Sequence, residues 1–208
     1  MSLTTETPEV THAPAAAAGG HHTTTGLSNE KVGMWAFLGS ECLLFGGLIS
    51  TFLLLRGKGV VHGPQVKDLY DIPFTSVSSF VLLMSSLTMV LALSAQQRGL
   101  FRRARVWLLA TALFGMIFVS GQVYEFTSFY KEGLGFSTNL QSSAFYVLTG
   151  FHGVHVTIGI LMLISLFFMS LRGNLPVEKS ETVEIIGLYW HFVDIVWILI
   201  FTVVYLIQ

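Results

Sequence analysis

Five long apolar runs, each closed by glycine, proline or charge, organise this chain. They fall at roughly 32–55, 74–96, 105–127, 142–171 and 183–207. A helix needs about 20 largely apolar residues, at a rise of about 1.5 Å each, to cross the hydrocarbon core of a bilayer. Each run supplies that length. The breaks between them are polar: "RGKGVVHGPQVKDLYDIP" carries Gly and Pro, "QQRGLFRRAR" is basic, "KEGLGFSTN" is turn-like, and "RGNLPVEKSE" combines Gly, Pro and charge. No run alternates strictly, so the pattern predicts helices rather than barrel strands. The expected fold is all-α, an integral membrane five-helix bundle over residues 29–208 in up-and-down order. Residues 1–28, "MSLTTETPEVTHAPAAAAGGHHTTTGLS", lack a basic start followed by an apolar core and so do not read as a signal peptide. They hold few large apolar groups and are expected to form a disordered polar tail. The tail histidines His12, His21 and His22 have no further flanking ligands and read as solvated side chains rather than a metal site.

Composition sharpens the membrane assignment. Hydrophobic residues make up 52% and charged residues 11% of the chain, with mean hydropathy +0.68; soluble domains carry about a quarter charged residues. A net charge of −1 gives no sign of a nucleic-acid partner. The single cysteine, Cys42, excludes an internal disulfide and any cysteine-rich metal site, and its apolar surroundings predict a buried thiol. With five spans, the tail and loops two–three and four–five share one side. That side holds Lys31, Arg98, Arg102, Arg103, Arg105, Arg172 and Lys179, against Arg56, Lys58, Lys67 and Lys131 on the other. Basic residues favour the cytoplasmic side, so the amino terminus is expected there.

The charged groups inside the spans raise a harder question. Glu41 lies about ten residues into the first run, some 15 Å deep, where a charged side chain costs at least about 2.5 kcal/mol on insertion scales. A protonated or hydrogen-bonded carboxyl facing protein resolves that cost. Asp194 poses the same problem in the fifth run, with His191 three residues earlier on the same helical face and Glu184 nearer the end. In "TGFHGVHVTIG", His152 and His155 also share a face, while Gly150, Gly153 and Gly159 allow close helix approach. Gln122 and Glu125 sit at the outer end of the third run, where Glu125 can either pair or snorkel to the interface. Two histidines one turn apart on one helix cannot grip opposite faces of a haem, and the two Glu-x-x-His helices of a di-metal bundle are missing. The favoured expectation is a buried hydrogen-bonded network, Glu41 with His152 or His155 and His191 with Asp194, without metal. No phosphate-cradling loop, nucleophile elbow or H-E-x-x-H motif is present.

The same stretches resemble subunit III of the haem–copper respiratory oxidases. "WAFLGSECLLFGGLISTFLL", "GQVYEF", "FYVLTGFHGVHVTIGILML" and "YWHFVDIVWILIFTVVYLI" are similar to that family's successive signatures, in its order, and "DLYDIPFTSVSSFVLLMSSLT" is similar to its bacterial members. The resemblance covers about residues 30–207 and the short five-helix bacterial form, without the two amino-terminal helices of mitochondrial members. It implies an accessory subunit of a proton-pumping terminal oxidase in the bacterial plasma membrane. Such a subunit carries no cofactor of its own; haem and copper reside in subunits I and II, its partners, and it binds membrane phospholipids and sustains proton uptake. Membership of a larger respiratory supercomplex is compatible with that role. The resemblance places the family's buried carboxylate on Glu41, its outer-end acid on Glu125, its histidine pair on His152 and His155, and its last-helix pair on His191 and Asp194. Two other readings stand beside it: subunit III of a bo-type quinol oxidase, and an independent channel or transporter built around the intramembrane acids.

Overall fold

The computed structural model describes residues 28–56 and 71–207, which form five membrane-length helices and, among the described residues, no strand. The expected tail with its histidines, and Lys58 and Lys67, lie outside the described residues. Helix α1 spans Asn29–Leu55, α2 Ile72–Gln97, α3 Phe101–Lys131 and α4 Leu140–Leu171. Helix α5 spans Ser180–Phe201, entered through a 3-10 turn at Val177–Lys179 and continued by a π-helical turn at Thr202–Leu206.

The helix ends follow from local chemistry. Ser28 caps α1 by accepting from the Lys31 amide, and Asp71 caps α2 by accepting from the Phe74 amide, with Pro73 in the first turn where no N–H is needed. Asn139 and Ser142 cap α4 reciprocally. Helices α2, α3 and α4 each run into a glycine with positive φ, Gly99, Gly133 and Gly173, and the next amide bonds back five residues, as Leu100 does to Ala95. A side chain at that left-handed position would be strained, so "QRG", "KEG" and "LRG" are the stop signals.

Consecutive helices run antiparallel, but they do not pack in simple sequential order. Helix α5 packs on α1, α2 and α4; α4 packs on α1, α3 and α5; and α3 packs on α2 and α4. The result is a row of α1, α5 and α2 laid over a row of α4 and α3. Helices α1 and α2 are not packed together, and α5 shows a strip of surface between them. The up-and-down arrangement expected from the sequence therefore holds in direction but not in neighbour order.

Trp190 of α5 sits at the centre of the two rows, 1% exposed. A Cβ at Gly115 of α3 would lie 2.6 Å from its ring, and one at Gly159 of α4 2.8 Å. Small residues at these two points let three helices close on one indole, the packing that replaces the hydrophobic effect as a driving force in lipid. Gly153 accommodates the Gln122 side chain in the same way, whereas Gly150 faces open space.

One end of the bundle collects the basic residues Lys31, Arg98, Arg102, Arg103, Arg105, Arg172 and Lys179. There Lys31 reaches Glu184 at 3.0 Å and Ser28 bonds Glu181, tying the start of α1 to the start of α5. Arg105 donates to the Ser170 hydroxyl and carbonyl, tying α3 to the end of α4. Gln96 donates to the carbonyl of Leu175 in the α4–α5 connection.

The glycine contacts give a direct check. Gly159→Ala overpacks against Trp190 and is expected to destabilise by about 1–3 kcal/mol. Gly150→Ala, with nothing within 4 Å of the new methyl, is expected to be neutral or stabilising. Thermal denaturation in detergent separates the two; equal losses would contradict the packing described.

Candidate functional site

Helix α1 buries only Leu38, Phe45 and Phe52, one residue every second turn. Glu41 lies on the same stripe. Cys42, one residue on, is turned by about 100° and is exposed, so the buried thiol expected from the sequence is not found. The apolar surroundings of Cys42 in the chain are surroundings of lipid, not of protein.

Glu41 meets His155 of α4: Oε2 and Nε2 are 3.1 Å apart, with side chains 14% and 12% exposed. The other ring nitrogen of His155, Nδ1, lies 2.8 Å from the carbonyl of Phe151. A carbonyl only accepts, so Nδ1 must carry a proton. A neutral imidazole then has a bare Nε2, and the contact with Glu41 requires one proton between the two atoms. The pair is either carboxylic acid with neutral imidazole or carboxylate with imidazolium, and in both forms its net charge is zero. That is how a glutamate is carried at bilayer depth. Tyr189 of α5 donates to the His155 carbonyl at 3.0 Å, and the Phe45 ring stands edge-on to the imidazole at 5.1 Å. Three helices thus meet at one residue.

His152, the other member of the pair, is placed differently. It is fully buried, stacked on Trp197 at 5.0 Å and flanked edge-on by Phe118, and neither ring nitrogen has a hydrogen-bond partner. His152 and His155 share a helix face but not an environment.

The expected direct bond between His191 and Asp194 is also not observed. His191 Nδ1 lies 2.6 Å from the Ser86 hydroxyl of α2, and Ser86 also faces the Asp194 carboxyl. Asp194 is 4% exposed, and its Oδ1 is buried without a partner. A serine on the neighbouring helix therefore stands where the direct contact was expected. Residues three apart on one helix project side by side, and a short hydroxyl from across the interface bridges them more readily than they bend toward each other. Gln122 is buried and donates to the Thr149 carbonyl of α4. Glu125 does not snorkel; it is 6% exposed, and its Oε1 accepts from Thr75 of α2 at 3.0 Å and from Tyr205 beyond α5 at 3.1 Å.

The hydroxyls of α2 are the functional residues that sequence reasoning missed. Ser79 accepts from the Trp197 indole at 2.8 Å and Ser85 from the Trp190 indole at 3.0 Å. A signal was present: Ser78–Ser79 and Ser85–Ser86 are seven residues apart, as are Trp190 and Trp197, the spacing of two facing antiparallel helices. No group of three or more His, Cys, Asp or Glu side chains among the described residues converges as a metal-ligand set. Chemically, the arrangement joins helices through polar pairs, Glu41 with His155, Ser86 with His191, and Glu125 with Thr75 and Tyr205.

A family model described as cytochrome c oxidase subunit III matches residues 11–208. Among similar proteins are two named cytochrome c oxidase subunit 3. That of Alkalihalophilus pseudofirmus is 40% identical, covering 86% of each chain, and that of Bacillus sp. strain PS3 is 38% identical with the same coverage. A probable quinol oxidase subunit 3 of Staphylococcus saprophyticus is 37% identical over 86% of this chain and 89% of its own length.

Glu41→Gln keeps a donor toward His155 and is expected to be mild, whereas Glu41→Leu strands the imidazole and should cost about 1–3 kcal/mol. His152→Phe preserves the stack on Trp197 and breaks no hydrogen bond, so its cost should be the smaller. Denaturation midpoints of the three variants in detergent test this ranking. A His152→Phe loss equal to that of Glu41→Leu would contradict it.

Proposed function

Because the chain belongs to the cytochrome c oxidase subunit III family, and so is a multi-pass membrane subunit of a haem–copper oxidase assembled with other oxidase subunits, we propose that it is the cofactor-free accessory subunit of a proton-pumping cytochrome c oxidase. In this reading haem and copper belong to subunits I and II, and this chain braces the catalytic subunit, sustaining turnover and proton uptake. The observation that carries the reading is the neutral Glu41–His155 pair. It locks α1 to α4 through side chains that are committed to each other.

The location proposed is the bacterial plasma membrane, with the amino terminus cytoplasmic. Its support is the basic end of the bundle, which gathers seven Lys and Arg residues at the start of α1, the α2–α3 turn and the α4–α5 connection. Phospholipid binding is supported by the α3–α4 face. Two adjoining apolar grooves of about 310 and 390 Å³ run there past Gly150, Val123, Phe126 and Tyr146. Acyl chains suit such grooves because their lining is largely apolar, with Val119, Val123, Phe126, Val154 and Ile158 among it.

A second reading, subunit III of a quinol oxidase, is favoured by the 37% identity to the Staphylococcus saprophyticus relative, close to that of the two relatives named for cytochrome c. Affinity purification of the tagged chain from membranes, followed by an optical spectrum and turnover with each donor, distinguishes them. The proposal expects co-purified haem and oxygen consumption with reduced cytochrome c. Oxygen consumption with quinol alone would establish the second reading, and isolation without any haem-bearing subunit would refute both.

A further inference from the structure

Polar side chains that face lipid in this chain mostly need nothing from outside it. The hydroxyls of Thr51, Ser120, Thr157 and Ser165 each donate to the carbonyl four residues back in their own helix. The strip of α5 between α1 and α2 is different. His191 is half-buried there and bonds Ser86 through Nδ1, while its Nε2 has no partner among the described residues. Behind it the polar group continues inward to the buried, unbonded Oδ1 of Asp194. Outward the strip is apolar and open, with Ile195 58% and Leu199 52% exposed.

Depth decides what can cover this strip. His191 is eleven residues into α5, about 16 Å along the helix, near the middle of a hydrocarbon core about 30 Å thick. Lipid headgroups and bulk water do not reach that level. An unmet imidazole nitrogen is costly there, and an acyl chain cannot satisfy it. The nitrogens of His152 are enclosed among the Phe118 and Trp197 rings, whereas Nε2 of His191 lies on an open strip, so the favoured cover is protein. The opposite α3–α4 face makes a weaker demand: Gln122 donates to the Thr149 carbonyl, and it lies toward the outer end of α3, closer to the interface than His191.

We propose that the α5 strip between α1 and α2 docks a transmembrane helix of a neighbouring oxidase subunit, which brings a hydrogen-bonding side chain to His191 Nε2 at mid-bilayer depth. The inference rests on the reading of this chain as an oxidase subunit and names the face through which it assembles. Ser86, which also faces the Asp194 carboxyl, is the positioning residue in it: it holds Nδ1 so that Nε2 points away from α2.

The test uses the whole complex, isolated through a tag on this chain. A photoreactive phenylalanine analogue replaces Ile195 or Leu199 in one set of cells and Val154, on the α3–α4 face, in another. Illumination is expected to join positions 195 and 199 to a different subunit of the oxidase, identified by mass spectrometry of the adduct, and position 154 to lipid. His191→Phe should lower the adduct yield at 195 and the retention of this chain about three- to eighteenfold, the range for one hydrogen bond between membrane helices, and His191→Gln should recover most of it. Adducts from 195 and 199 to lipid alone or to a second copy of this chain would overturn the proposal. So would a His191→Phe complex indistinguishable from wild type. If the chain co-purifies with haem and only position 154 reaches protein, the docking face is wrong and the oxidase assignment stands. If no haem-bearing subunit co-purifies, both fall.

Discussion

A bilayer interior offers polar groups no water, so most of them are answered by another group of the protein, with the His152 nitrogens and Asp194 Oδ1 as exceptions among the described residues. That constraint accounts for most of what distinguishes this bundle from five apolar rods. Glu41 is answered by His155, the indoles of Trp190 and Trp197 by Ser85 and Ser79, and Glu125 by Thr75 and Tyr205. All of these contacts join helices that are not consecutive in sequence, except Glu125 with Thr75, which ties α3 to α2. Helix–helix order is therefore written largely in polar pairs, with glycines at the points where backbones must come close.

The pairs are unevenly spread, and so is the resulting rigidity. Helices α2, α3 and α5 are tied at both ends and around Trp190. Helix α1 is the exception: it buries three large side chains and is held along its length chiefly by Glu41, with Lys31 and Ser28 at one end. It is also the helix displaced from its sequence neighbour, lying on α4 and α5 instead of α2. Its position separates two kinds of surface. The α3–α4 face carries apolar grooves, while the α5 strip carries, at mid-bilayer depth, an imidazole with one nitrogen unmet.

Much of this was legible in the sequence, because hydropathy at membrane length is a strong signal and each helix stop carries its own residue code. The five spans agree with the structure to within a few residues at most ends, and the basic end was readable from Lys and Arg positions alone. Glu41 stood out because a carboxylate in an apolar run has no bland explanation. What stayed hidden depended on the partner across an interface. His152 and His155 are equivalent in spacing, and only the position of α1 shows that the second meets Glu41. The same holds for Asp194 and His191, whose adjacency on one helix suggested a bond that Ser86 of another helix takes instead. Cys42 was misplaced because, on a helix bathed in lipid, hydrophobic neighbours in sequence do not mean burial in protein. The match to subunit III supplied the assembly, which no single chain can reveal by its own periodicity.

The central claim is that the Glu41 carboxyl and the His155 imidazole satisfy each other and so hold α1 on the bundle. A double-mutant cycle on Glu41→Leu and His155→Phe, read as unfolding free energy in detergent, measures it without reference to either residue's packing. The account expects strong non-additivity: a coupling of about 0.6–1.7 kcal/mol, the range measured between membrane helices, with the double variant little worse than the worse single one. Losses that simply add would show that the two residues act independently, and the account would be wrong.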